Sequence, residues 1–288
     1  MSIKRKLFYF YNDVILKKMV NMKIESIENS IKYVIENKSS VARFGDGELN
    51  IINSRNIGFQ SYDKELSERL REVLTSDIPN IAICVPGALK DMSDLNDEAR
   101  SFWMENLRTG RASWYKYMKK NKIYYNTQMT RLYMDYKEKD KSEGWFRELK
   151  NIWNEREIVI IEGEKSRLGV GNDLFNNVKS ISRILAPSEN AFKSYHDILE
   201  EAKKVSKDKL ILIALGPTAT VLAFDLHKLG YQAIDIGHAD IEYEWFLRKS
   251  TKKESIPGKY TNEALNRKVL YSDNNKSYEN QIIARINI

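Results

Sequence analysis

Short apolar runs rich in β-branched residues recur along this chain, and each ends near a glycine or proline before a stretch with helical spacing. Clear examples are Ile81–Val85, Ile158–Ile161 and Leu210–Leu215. Continuous apolar runs of this length are typical of strands that are covered on both faces. Strands alternating with helices predict a Rossmann-like α/β fold, in which one mainly parallel sheet has helices on both faces.

The segments between these runs carry helical patterns. Apolar residues from Ile27 to Ile35 share one face ahead of a strand at Val41–Phe44, and Asp63 is a candidate N-cap for the next helix. Further strands are predicted at residues 122–127, 181–186 and 232–236, and the region 91–153 is predicted to be largely helical. Its aromatic residues pack in the core or line a sugar-binding cleft: Trp103, Trp114, Tyr115, Tyr117, Tyr124 and Tyr125.

A chain of 288 residues, 42% of them hydrophobic, can form one large α/β domain. We divide it into a basic and aromatic helical extension (residues 1–22), a single domain (residues 23–270) and a tail (residues 271–288) without a readable pattern. The apolar runs are too short to span a bilayer and the N-terminus does not resemble a signal peptide, so we expect a cytoplasmic protein. The single cysteine, Cys84, excludes an internal disulfide and is expected to be a buried hydrophobic residue.

The net charge of +7 comes from 47 basic and 40 acidic residues that are mixed along the chain. This excess suits anionic ligands such as nucleotide diphosphates, or a membrane surface. Without a dense basic cluster interleaved with aromatic residues, we expect no nucleic-acid binding. Residues 1–22 fit either a terminal helix packed on the domain or a peripheral contact with the inner face of the membrane.

The segment Arg43-Phe-Gly-Asp-Gly-Glu48 places an arginine and two carboxylates among glycines directly after a predicted strand. If the segment is extended, Asp46 and Glu48 face one ligand together, whereas a helix would separate them by more than half a turn. Gly45 and Gly47 supply backbone freedom and leave room for a ligand. The alternative is a polar surface turn with an ion pair between the arginine and Glu48.

Two glycine-containing loops also follow predicted strands. Residues 162–173 include Arg167 and Asn172, and their composition suits phosphates or a ribose, although their spacing matches neither a Walker motif nor a dinucleotide fingerprint. Gly216 and Pro217 lead from a strand into a helix whose free N-terminal amides suit a diphosphate. A hydroxyl donor is available there from two residues, Thr218 and Thr220. Simple helix capping is the alternative for this turn.

The last predicted strand leads into an oxygen-rich cluster that consists of His238, Asp240, Glu242 and Glu244. If this segment is extended, all four side chains share one side; if a helix starts at Asp240, Asp240 and Glu244 are the facing pair. Either geometry can hold Mg²⁺ or Mn²⁺. The alternative is an acidic first turn of an amphipathic helix.

The segments that begin at Arg43, Gly216 and Gly237 each follow the carboxyl end of a predicted strand. In parallel α/β sheets, ligands bind in the crevice outside these strand ends. We therefore predict that the three segments form one binding site.

Three motifs also resemble the GT-D glycosyltransferases, a bacterial family first catalogued as a domain of unknown function. They are Arg43-Phe-Gly-Asp-Gly-Glu48, Leu215-Gly-Pro-Thr-Ala-Thr220 and the segment from Asp235 to Trp245. The resemblance spans roughly residues 40 to 265, and the order of the motifs agrees with the family. It implies a GT-D type fold and transfer of a hexose, such as glucose, from a UDP-sugar to a bacterial surface glycan or glycoprotein.

The resemblance also implies roles for individual residues. Asp240 and Glu242 match the metal-associated acidic motif, Arg167 and Asn172 are expected at the donor, and Lys259 lies in a loop, residues 257–263, expected near phosphate. A metal ion would stabilise the leaving diphosphate, while Asp46 or Glu48 would take the acceptor proton. Arg43 would pair with the diphosphate or orient the carboxylates. The two acidic pairs can also exchange these roles.

Two other functions fit the same residues. Acidic clusters and phosphate loops also serve metal-dependent phosphoester hydrolases, and a non-catalytic nucleotide-binding scaffold needs only the loops. Fold alone does not decide among these functions. The sequence leaves assembly into a homo-oligomer open.

Overall fold

The protein is described by a computed structural model that covers residues 3–16, 22–261 and 275–288. The strands are β1 (Lys23–Ile24), β2 (Ser40–Arg43), β3 (Ile81–Val85), β4 (Ile123–Asn126), β5 (Glu157–Gly163), β6 (Ser180–Ala186), β7 (Leu210–Ala214), β8 (Ala233–Asp235) and β9 (Ile282–Arg285). These described strands form one sheet in the order β1-β4-β3-β2-β8-β7-β5-β6-β9, and neighbouring strands run parallel. The predicted parallel α/β fold is confirmed.

Apart from the helix at residues 3–10, the described helices lie between successive strands. They are α1 (Ile3–Phe10), α2 (Ile27–Asn37), α3 (Asp46–Ile52), α4 (Lys64–Thr75), α5 (Asp97–Tyr117), α6 (Lys141–Lys150), α7 (Tyr195–Ala202), α8 (Pro217–Lys228), α9 (Ala239–Leu247) and α10 (Lys276–Gln281). Asp63 caps α4, as predicted, because its carboxylate accepts a hydrogen bond of 2.9 Å from the Leu66 amide.

Strands β2 and β8 are neighbours in the middle of the sheet. From β2 the chain continues to β3 and β4 on one side, whereas it reaches β8 from β7 on the other side. The direction of winding therefore changes between β2 and β8. Such a switch point opens a crevice at the carboxyl ends of the two strands, where α/β proteins bind ligands.

The ends of the chain are joined to this core. A π-helical turn, Tyr11–Leu16, packs with α1 against α5, so the described part of the extension is docked on the domain. Strand β9 lies within the predicted tail but pairs with β6, and Tyr278 of α10 is buried. The described part of the predicted tail, residues 275–288, is thus joined to the sheet. Residues 17–21 and 262–274, which include the predicted boundary at 270, lie outside the described residues.

Within the described part of the chain, no helix combines the length and the apolar character that crossing a bilayer requires.

Candidate active site

A cleft of about 460 Å³ lies at the carboxyl ends of the central strands. Its walls come from the segments that follow β2, β3, β4, β5, β6, β7 and β8. Arg43 and residues 45–48 form one part, Gly216 another, and Gly237 with His238 a third. The structure thus brings together the three segments singled out from the sequence.

The floor of the cleft is a buried ion pair between Arg43 and Asp235. The Arg43 Nη2 donates to Asp235 Oδ1 at 3.1 Å, and Nε donates to the Asp235 carbonyl oxygen at 2.9 Å. The Thr220 hydroxyl donates to the Arg43 carbonyl oxygen at 2.8 Å and to Asp235 Oδ2 at 3.2 Å. Burial raises the pKa of the Asp235 carboxyl, and the charge of Arg43 opposes that rise. Thr220 therefore braces this pair rather than lining the cleft.

Gly237 makes the ion pair possible because it leaves space directly above the guanidinium. Its φ angle is +49°, and a Cβ at this position would lie 1.6 Å from Arg43 Nη2. A side chain would overlap the arginine, and the backbone conformation itself is one that favours glycine. The glycine after β8 thus fixes the position of the arginine after β2.

The segment after β2 is helical, so the expected extended conformation of Asp46 and Glu48 was wrong. Helix α3 begins at Asp46 with Gly45 as its N-cap, and Glu48 Oε2 accepts a hydrogen bond of 2.7 Å from the Gly45 amide. This bond satisfies the Gly45 amide, which would otherwise lack a partner, and it favours the start of a helix at Asp46. Both carboxylates still border the cleft, as does Gly47.

The Glu48 carboxyl is poised to titrate near neutrality. Burial raises its pKa to about 7, the nearby Asp235 charge acts in the same direction, and the hydrogen bond from the Gly45 amide opposes them. A carboxyl group with such a pKa can exchange a proton with a ligand in the cleft at physiological pH.

Helix α9 begins at Ala239, so Asp240 and Glu244 form the facing pair that the helical alternative predicted. Lys259 Nζ lies 2.7 Å from Asp240 Oδ2 and 3.0 Å from Glu244 Oε1. The Asn172 side-chain amide donates to the same two carboxylates at 2.7 and 2.8 Å. Burial would raise the pKa of Glu244, but Lys259 and Asn172 more than offset this and hold it below its usual value.

The other acidic residue of the predicted metal motif points elsewhere. Glu242 is fully buried, and its Oε2 accepts hydrogen bonds from the Tyr133 and Met134 amides at 3.0 and 2.9 Å. His238 borders the cleft, as does Asp240, whereas Glu242 and Glu244 lie behind its wall.

The predicted metal ligands therefore do not form one site in this arrangement. Oxygen ligands suit Mg²⁺ or Mn²⁺, but the Asp240 and Glu244 carboxylates already surround the ammonium group of Lys259, and Glu242 faces peptide amides. Across the described residues, no three His, Cys, Asp or Glu side chains are grouped so that they could hold a metal ion. We accordingly derive no chemical step through a metal.

The loop after β5 meets the cleft through Gly163, Ser166 and Leu168. Arg167 and Asn172, the residues expected at the donor, lie behind this surface. Arg167 is buried with its guanidinium 5.3 Å from the centre of the Tyr278 ring, and Asn172 holds the α9 carboxylates. Both side chains shape the loop in this structure.

The turn after β7 meets the cleft through Gly216. Its φ angle is +56°, and a Cβ there would lie 2.3 Å from the Phe59 ring, so a glycine is required. Pro217 and Thr218 are the first residues of α8 and are buried. Within the described part of the chain, the Thr218 hydroxyl has no hydrogen-bond partner. The amides at the start of α8 thus lie beside the cleft, next to Gly216.

The aromatic residues that were predicted to line a cleft or pack in the core are divided between these positions. Trp103 borders the cleft, and Trp114 and Tyr124 are buried in the core. The other three pack against the core: Tyr115, Tyr117 and Tyr125. The cleft also contains Phe59, Phe102 and Asp235, which were not predicted as site residues, and Tyr260 from the predicted loop 257–263. A signal for Asp235 exists, because a carboxylate inside a buried apolar strand requires a partner.

Comparison with known proteins decides the family. The family model described as the glycosyltransferase GT-D fold matches residues 41–264, which is most of the chain and includes every segment that forms the cleft. The chain belongs to the GT-D family of glycosyltransferases. This result confirms the resemblance found in the three sequence motifs.

Two curated relatives match nearly the whole chain. Glycosyltransferase GlyD of Streptococcus pneumoniae serotype 4 is 35% identical over 275 residues, which is 95% of this chain and 34% of the relative. The probable glycosyl transferase Gly of Streptococcus gordonii is 39% identical over 263 residues, 91% of this chain and 38% of the relative. The chain thus spans about a third of the length of the curated relatives it matches.

Solved structures of similar GT-D domains share the fold. One structure is described as domain of unknown function 1792 with a distinct glycosyltransferase fold. It is 38% identical to this chain with a TM-score of 0.88, and the match covers 94% of this chain and 98% of the other. A second structure is described as a new glycosyltransferase from Streptococcus sanguinis. It is 36% identical to this chain with a TM-score of 0.87, and the match covers 92% of this chain and 99% of the other.

Proposed function

We propose that the protein transfers a hexose, glucose in the first instance, from a UDP-sugar to a hydroxyl group of a glycan or glycoprotein acceptor at the bacterial surface. The observation that carries the proposal is that carboxylates after β2 and small-residue loops after β5, β6 and β7 line one cleft in a GT-D family member.

The donor nucleotide fits the half of the cleft that is formed by Gly163, Ser166, Ser188 and Gly216. Small residues allow close approach of a diphosphate to the main chain. The amides at the start of α8 and the positive end of its dipole favour the negative charge that develops on the leaving nucleotide. Stabilisation of that charge is one of the two requirements of sugar transfer.

The other requirement is removal of the proton from the acceptor hydroxyl. Glu48 is our candidate base, because it borders the cleft and its pKa of about 7 lets it accept a proton at neutral pH. Asp46 borders the cleft beside it and is the second candidate. The Arg43–Asp235 pair holds the β2 and β8 segments in register, so that these carboxylates face the donor.

Dependence on Mn²⁺ or Mg²⁺ remains a prediction that is drawn from the acidic segment after β8 and from the family resemblance. It is tested together with the donor by measuring nucleotide release from UDP- and GDP-sugars with each cation and with EDTA, in the presence and absence of a glycan acceptor. We expect acceptor-stimulated release of UDP from UDP-glucose or a related UDP-hexose.

Two further measurements, phosphodiester hydrolysis and nucleotide binding, separate the alternatives. Hydrolysis of a phosphodiester without any sugar acceptor would favour a phosphoester hydrolase. Nucleotide binding that is indifferent to EDTA, without sugar transfer, would favour a non-catalytic scaffold.

We also propose that the N-terminal extension contacts an anionic membrane from the cytoplasmic side. Residues 1–22 contain five basic residues and one acidic residue, a net charge of +4. In α1, Ile3, Leu7 and Phe10 are 77%, 63% and 56% exposed although the adjoining turn packs on the domain. Exposed apolar side chains on a basic helix suit an interface with anionic lipids.

Sedimentation with lipid vesicles tests this contact. We expect the protein to sediment with vesicles that contain phosphatidylglycerol, and less with pure phosphatidylcholine; Leu7→Glu should weaken the binding. Equal recovery of wild type and variant in the supernatant would contradict the proposal. Light scattering of the same samples without lipid measures the oligomeric state, for which a homo-oligomer remains a prediction.

A further inference from the structure

The cleft has two chemically different halves. The half after β5, β6 and β7 combines glycines and serines with Leu168, Ala214 and Leu215, and the Phe59 ring lies against Gly216 there. The half beside β2 and β4 carries the aromatic side chains of α5. Phe102 and Trp103 stand on this second wall, and Asp135 adds a carboxylate there. A nucleotide diphosphate fits the first half, so the second half remains for the other substrate.

Phe102 differs from the other aromatic residues that border the cleft because its side chain is exposed, at 49%. Its neighbour Trp103 is buried and meets it edge to face, with ring centres 5.3 Å apart. A buried ring that supports an exposed one limits the positions that the exposed ring can take. The wall thus presents a flat apolar surface in a fixed position.

The helix that carries Phe102 also packs against the helix that carries the candidate bases. The Ser113 hydroxyl of α5 donates at 2.9 Å to the side chain of Asn53, the residue that ends α3, and Gly110 faces Leu49 of α3. Asp46 and Glu48, at the start of α3, line the same cleft as Phe102. A sugar that lies against α5 would have a hydroxyl group within the region of these carboxylates.

We propose that Phe102 is the stacking platform for the acceptor saccharide. The ring would cover the C–H face of an acceptor pyranose, while polar groups of the same wall bind its hydroxyls. The inference rests on the proposed glycosyltransferase function and deepens it, because it assigns the acceptor class, a pyranoside, and its position on α5.

Three variants test the platform. Phe102→Ala removes the ring, Phe102→Trp keeps an aromatic surface, and Met104→Ala is the matched control, because Met104 lies on the same helix, is 41% exposed and does not border the cleft. The probes are methyl β-glycosides of glucose, galactose and N-acetylglucosamine, with UDP-glucose as donor. The readouts are the KM for the acceptor, the KM for the donor and the rate of donor hydrolysis by water.

We expect Phe102→Ala to raise the acceptor KM about fivefold to tenfold, as loss of one aromatic contact does, and to leave the donor KM and the hydrolysis rate unchanged. The acceptor KM of Phe102→Trp and of Met104→Ala should stay within about twofold of the wild-type value, because a twofold change is smaller than the effect of losing one stacking contact.

An unchanged acceptor KM in Phe102→Ala would overturn the platform while leaving the proposed function intact. The same holds if donor KM rises in step with acceptor KM, or if Met104→Ala has the same effect. A wild-type protein that releases no nucleotide from any donor, with or without the glycosides, would overturn the proposed function and the platform with it.

Discussion

The Arg43 guanidinium and the Asp235 carboxylate, 192 positions apart in the chain, form a buried ion pair with an N–O distance of 3.1 Å across adjacent parallel strands. Both side chains are largely shielded from water, with 13% and 5% exposure. The pair joins the first and last motifs of the cleft at the switch point of the sheet. The spatial relationship of the two motifs depends on this contact more than on any surface ion pair.

Removing one partner of this pair should therefore be costly. Asp235→Ala leaves a buried guanidinium without its carboxylate, and we expect it to lower the free energy of unfolding by about 3 kcal/mol. Glu279→Ala is the control, because it breaks an ion pair with Arg285 whose side chains are about half exposed, and it should cost under about 1 kcal/mol. Urea denaturation measures both. Similar small losses in the two variants would contradict the central role of the buried pair.

Gly237 should tolerate no side chain. Gly237→Ala places a methyl group into the Arg43 guanidinium, so we expect a loss of stability above about 2 kcal/mol together with a fall in kcat/KM. Gly171 offers a matched control, because its φ of +83° is also in the left-handed region but a Cβ there would have nothing within 4 Å. Gly171→Ala should show only the backbone strain of about 1 kcal/mol. If both variants behave alike, steric contact with Arg43 is not what requires Gly237.

The pH dependence of transfer should report Glu48. Its folded-state pKa is raised from 4.5 to about 7, so the base form is lost as pH falls below 7, and kcat/KM should rise with pH and level off above that value. The folded state also binds the extra proton between pH 4.5 and 7, so this group lowers stability as pH rises through that window.

Glu48→Gln keeps an acceptor for the Gly45 amide but does not titrate. It should lose both the kinetic break near pH 7 and the associated decline in stability. A wild-type profile that is flat from pH 6 to 8 would exclude Glu48 and leave Asp46 as the candidate base.

Tyr278 should affect donor binding from outside the cleft. The centre of its ring lies 5.3 Å from the guanidinium carbon of Arg167 and 4.8 Å from that of Arg183. Arg183 in turn donates hydrogen bonds to the Glu162 carboxylate and to the carbonyl oxygen of Leu168, a residue that borders the cleft. Tyr278→Ala should cost about 3 kcal/mol of stability and, by loosening this loop, raise the donor KM but not the acceptor KM. Tyr278→Phe keeps the ring over both arginines and should restore the donor KM. Failure of that rescue would show that the ring contacts do not position the loop.

The repeating apolar pattern predicted the sheet well because central strands need continuous apolar sequence. Ile81–Val85 was predicted to the residue, and β7 differs from its predicted range by one residue at its end. Strand β9 escaped prediction, because its residues alternate between half-buried and exposed and its assignment depends on pairing with β6.

The site was less predictable, since its chemistry depends on contacts between distant residues. Local pattern placed the carboxylates of α3 and α9 at one cleft but could not show that α3 starts at Asp46, that Asp235 pairs with Arg43, or that Lys259 lies between Asp240 and Glu244. The sequence pattern of the acidic segment does not reveal the lysine between Asp240 and Glu244, because that lysine comes from a separate loop.

The most direct test of the account is the rate of UDP release from UDP-glucose with a saccharide acceptor, compared between wild type and Glu48→Gln at pH 8, with UDP affinity measured by calorimetry on both. We predict that the wild type transfers glucose and that the variant is slower by at least about 10²-fold while its affinity for UDP is nearly unchanged. If Glu48→Gln transfers glucose at the wild-type rate, Glu48 is not the base of the reaction. That result would contradict the assignment of the cleft at β2 and β8 as a transferase centre that uses Glu48.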